Sequence, residues 1–65
     1  MINESDMWRT AALLINRYGD DALLAAWRRA EQLGATGDVE GQRDWARILN
    51  AVNEFLSETH DGRLH

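Results

Sequence analysis

Two Gly-Asp pairs, Gly19-Asp20 and Gly37-Asp38, stand eighteen positions apart and divide the chain into three stretches, each with its own apolar period. Glycine supplies the left-handed backbone that ends a helix, and an aspartate directly after it can cap the helix that follows. This punctuation leaves room for helices joined by tight turns and for little else. In the first stretch Met7, Trp8, Ala11, Leu14, Ile15 and Tyr18 recur at spacings of three and four, which puts them on one side of a helix. Ser5 or Asn3 can cap its start, and Asp6 suits the positive end of its dipole.

The second stretch places Ala22, Leu23, Ala26, Trp27, Ala30 and Leu33 on one face, with Arg28, Arg29, Glu31 and Gln32 largely outside it and Gly34 as its stop. Gly37 and Asp38 then form a turn whose carboxylate can accept hydrogen bonds from the free N–H groups of a third helix. In that helix Trp45, Ile48, Leu49, Val52, Phe55 and Leu56 share a stripe, while Glu40, Arg43, Arg47, Asn50 and Glu54 take the other side. No stretch alternates with the period of a strand. The expected fold is all-α, a three-helix up-down-up unit over about 5–18, 20–34 and 38–58, in a single domain at 3–59 with a flexible tail at 60–65. Trp8, Tyr18, Trp27, Trp45 and Phe55 are the expected core aromatics. Pairs such as Asp44 with Arg47 are expected to decorate the surface.

Composition narrows the function classes. With 11 acidic against 7 basic residues the formal charge is −4, the wrong sign for attraction to a phosphate backbone. All seven basic residues are Arg, a bias that, with abundant Ala, matches the codon usage of a GC-rich bacterial genome. Zero Cys removes disulfides, thiolate metal sites and thiol nucleophiles. No run approaches the roughly 20 apolar residues of a membrane span, and the first residues lack the basic region of a secretory signal. The expected address is cytoplasmic.

The turns and their neighbours form a wider pattern. Tyr18-Gly19-Asp20-Asp21-Ala22, Arg29, Leu33, Gly37-Asp38, Gly41, Trp45 and Ile48 together resemble a family of short, uncharacterised helical proteins from alphaproteobacteria, over roughly residues 8 to 56. The resemblance implies a helical fold and no activity.

The candidate chemical groupings are sparse. His60, Asp61 and His65 are metal-ligand types, but a short tail offers no groups to orient the imidazoles, so no metal is expected. Asp20 and Asp21 read as cap and dipole partner rather than an acid–base pair. Gly34, Gly37 and Gly41 enter the third helix as a phosphate loop would, yet without the preceding strand or the Gly-Lys pair, and Gly41 reads as a place where another helix approaches. A helix-turn-helix register over Ala30 to Thr36 would set Glu40 where a buried aliphatic belongs and open the recognition helix on Asp38-Val39-Glu40.

No catalytic residue and no cofactor are therefore expected. The function expected is a small bacterial accessory or regulatory module that binds protein; the alternatives are a DNA-binding regulator with a degenerate helix-turn-helix and a phage-type acidic inhibitor. A domain of this size buries only about 60% of the surface its unfolded chain exposes, which favours association. Leu13 and Leu24 fall off their helices' apolar faces at similar distances from Gly19, so they are expected to share a patch that pairs in a homodimer.

Overall fold

Asn3 starts the first helix: its side chain accepts the Asp6 N–H at 2.7 Å, and Glu4 and Asp6 occupy the first turn, where the dipole favours acids. In the computed structural model, which describes residues 2–64 with side chains through Ser57, α1 runs Glu4–Tyr18, α2 Ala22–Ala35 and α3 Val39–Leu64. Every regular element among the described residues is helical. The expected tail at 60–65, with His60, Asp61 and His65, lies outside the residues described in full.

The expectation of three separate helices needs correction at the first junction. Gly19–Asp21 forms a 3₁₀ turn that leads directly into α2, so helical backbone is interrupted once among the described residues, at 36–38. Gly19 adopts φ 60° and ψ −127°, which redirects the chain while its N–H still bonds to the Ile15 carbonyl. The Ala22 N–H in turn donates to the Gly19 carbonyl. Asp20 is consequently inside the 3₁₀ turn and is not the N-cap; Asp21 holds that position and makes no side-chain capping bond.

The second junction also differs in detail. α2 continues through Gly34 to Ala35, so Gly34 does not end it. The positive φ, 84°, belongs to Gly37. The Asp38 N–H donates to the Leu33 carbonyl at 2.9 Å and the Gly37 N–H to the Gly34 carbonyl at 3.1 Å, the paired bonds of a Schellman end. Thr36 Oγ1 adds a bond to the Leu33 carbonyl at 3.0 Å. Asp38 then caps α3, its Oδ1 accepting the Gly41 N–H at 2.9 Å. A side chain at Gly41 would press on the Asp38 carboxylate and not, as expected, on another helix.

The centre of the fold is built from small side chains. Ala11, Ala22, Ile48, Ala51 and Val52 are buried with Met7 at its edge, and Val52 is the largest side chain fully enclosed. Alanines where helices cross let their axes approach closely, which leaves bulky side chains at the flanks of the contact. Trp8, Leu14, Ile15, Trp45, Phe55 and Leu56 pack there as half-buried neighbours. Trp8 meets Phe55 edge to face, with ring centroids 5.2 Å apart and planes at 80°. On the other side of α3, Arg29 stands over the Trp45 ring at 6.0 Å and a Cβ on Gly34 would meet the Gln42 side chain.

Two of the expected core aromatics are outside. Trp27 is 50% exposed and Tyr18 46% exposed. The buried line of α2 runs through Ala22 and Ala26, and Trp27 sits about 100° around the helix from Ala26, on the shoulder of that line. Tyr18 is the last residue of α1, where the chain turns away, and its ring lies beside the Arg17 guanidinium at 5.9 Å.

Candidate interaction surface

The outward face of α2 is determined by the same geometry that buries Ala22 and Ala26. Leu24 projects roughly opposite those alanines and is 47% exposed. Two concavities meet at it. One, of about 390 Å³, is lined by Asp20, Leu23, Leu24 and Trp27 of the turn and α2, with Leu49 of α3 as its far wall. The other, of about 260 Å³, holds Tyr18, Asp21, Leu24, Ala25 and Arg28. Carbon dominates the first and charge frames the second: Asp21 lies at its start and Arg28 at its end.

Leu13 is 61% exposed and lines neither concavity, whereas Leu24 is grouped with Trp27 in one and with Tyr18 in the other. The expectation assumed a hairpin in which distance from Gly19 translates into a shared face. Gly19–Asp21 forms a 3₁₀ turn, so distance from Gly19 alone does not fix how the wheel of α1 relates to that of α2. The spacing of Trp27 from Leu23 and Ala30 suits an apolar stripe, but only Ala22 and Ala26 of α2 are buried, which leaves Trp27 on the flank.

A third concavity, of about 300 Å³, separates α1 from α3 and is walled by Ala12, Ile15, Asn16, Phe55 and Leu56. It lies over the Trp8 and Phe55 ring pair and continues the internal packing.

The positions weighed for other chemistry are engaged locally. The Gly41 N–H, at the head of α3, is taken by Asp38 itself, which leaves an acid where a phosphate would have to bind. Among the described residues no three His, Cys, Asp or Glu side chains gather as a metal site would require, and no helix is long and apolar enough to cross a membrane. Asp44 and Arg47, expected to decorate the surface, instead clasp one residue: Asp44 Oδ1 accepts the Ile2 N–H at 3.2 Å and Arg47 Nη1 donates to the Ile2 carbonyl at 3.0 Å.

Comparison with family models, with curated proteins and with solved structures returns no match to this chain. The outer face of α2 therefore has to be interpreted from its own chemistry.

Proposed function

We propose that the chain is a non-catalytic protein–protein interaction module, a three-helix up-down-up unit that works as a homodimer through the outer face of α2. One observation carries the proposal: Leu24 and Trp27, each about half exposed, open onto a single apolar groove on the outside of α2. Burial of apolar surface is the main favourable term in folding and in most protein association. A chain that keeps a tryptophan and leucines at its surface has that stabilisation still available there. The grooves offer carbon walls and a frame of charge, which suits a protein surface better than a reacting small molecule. The bacterial, cytoplasmic setting and the likeness of the Gly-Asp pattern to short alphaproteobacterial proteins belong to the same proposal.

Light scattering at about 50 μM tests it. The parent is expected at twice the monomer mass of 7.4 kDa. Leu24→Lys is expected to shift it towards monomer, and Leu13→Lys, which alters a leucine away from the groove, is expected to leave it unchanged. A parent that stays monomeric at that concentration overturns self-association.

A further inference from the structure

We infer that two copies pair through antiparallel α2 helices about a two-fold axis next to Leu24 and Ala25, so that Asp21 of each copy faces Arg28 of the other. The inference rests on the proposed self-association and specifies its geometry. Asp21, Leu24, Ala25 and Arg28 line one concavity on the outside of α2, in the order acid, large apolar, small apolar, base. Asp21 and Arg28 are two helical turns apart, about 10.5 Å along the axis, and cannot reach each other within one chain. Both are exposed.

Reversing a second α2 against the first resolves this arrangement. The register that sets Asp21 opposite Arg28 also sets Leu24 opposite Ala25, a large side chain against a small one, and the two-fold axis repeats each pairing. Seven residues apart at about 100° each, Asp21 and Arg28 lie within roughly 20° of one another on the wheel, between Leu24 and Ala25, so both face the second helix along the centre of the contact. A parallel pair would bring Asp21 against Asp21 and Arg28 against Arg28, so charge selects the antiparallel arrangement. On the Leu24 side of the contact the same register carries Trp27 of the second copy over the turn at Asp20 to Leu23 and into the groove walled by Leu49. The outer face of α2 is thus complementary to itself both in shape and in charge.

Charge reversal distinguishes this geometry from self-association as such. Asp21→Arg and Arg28→Asp are each expected to raise the dimer dissociation constant about tenfold, since each replaces two attractive contacts with two repulsive ones; the double variant Asp21→Arg/Arg28→Asp is expected to return to within about threefold of the parent. Circular dichroism checks that each variant remains helical. Because the chain has no cysteine, Ala25→Cys provides a second readout that leaves the charges intact: oxidation is expected to link two copies at the axis, whereas Arg43→Cys on α3 should not cross-link. If the parent dimerises but the double variant fails to recover and Ala25→Cys fails to cross-link, the pairing is overturned while self-association stands. A monomeric parent overturns both.

Discussion

Arg47 reaches back 45 positions along the chain to donate from Nη1 to the carbonyl of Ile2 at 3.0 Å. Asp44, one turn earlier on α3, accepts the N–H of the same residue, so the two charged side chains engage both backbone polar groups of Ile2. The contact aligns the start of α1 with the first turns of α3, and at the other end of the same helix pair Trp8 meets Phe55. α2 is set against α3 in the opposite sense, with Gly34 near Gln42 and Leu23 and Trp27 near Leu49. α3 is therefore the element on which both other helices are registered.

Loss of the clasp should be felt locally. Arg47→Met keeps the aliphatic stem and removes the donor, and Asp44→Ala removes the acceptor; each is expected to cost about 0.5–1 kcal/mol because the bonds are only partly shielded from water. Hydrogen exchange of the Ile2 amide is expected to accelerate in both variants while the amides of Ile48 and Val52 stay protected. Unchanged exchange at Ile2 would show that the clasp does not hold in solution.

The edge-to-face pair of Trp8 with Phe55 should carry a coupling beyond its buried area. A double-mutant cycle with Trp8→Leu and Phe55→Leu is expected to return about 0.5–1.5 kcal/mol of interaction energy by chemical denaturation. Additive single effects would mean that the rings do not meet.

The two aspartates of the Gly-Asp pairs should separate by stability. Asp38→Ala removes an observed cap and is expected to destabilise by about 0.5–2 kcal/mol, whereas Asp20→Ala, within the 3₁₀ turn, should remain within about 0.5 kcal/mol of the parent. In a domain of this size each kcal/mol moves the melting temperature by about 4–8 °C, so thermal melts resolve the difference. Equal shifts would contradict the assignment of Asp21, not Asp20, to the start of α2.

Gly37 and Gly34 should respond in opposite directions to alanine. At φ 84° a Cβ is strained, and Gly37→Ala is expected to cost about 1 kcal/mol or more. Gly34 has helical backbone, and what its Cβ would meet is the far end of the Gln42 side chain, which can turn aside. Gly34→Ala is accordingly expected to stabilise by up to about 1 kcal/mol, with Gln42→Ala in the same chain preserving the gain. Destabilisation by Gly34→Ala even with Gln42→Ala would place the crowding in the backbone instead.

Helical periodicity and the two Gly-Asp pairs suffice to make this chain all-α, because apolar spacing of three and four residues and turn chemistry are local properties that act before any long-range contact forms. Asn3 and Asp38 are legible for the same reason: each cap bonds an N–H only three residues away. The details that tertiary structure decided all depend on how closely helices approach. An apolar stripe on a wheel is wider than the line that becomes buried, and on α2 that line runs through Ala22 and Ala26 and leaves Trp27 on the shoulder. The packing of α1 against α3 turned Asp44 and Arg47 from surface charges into the clasp on Ile2. Local sequence sets which elements form; the packing of those elements against one another sets which side chains remain outside.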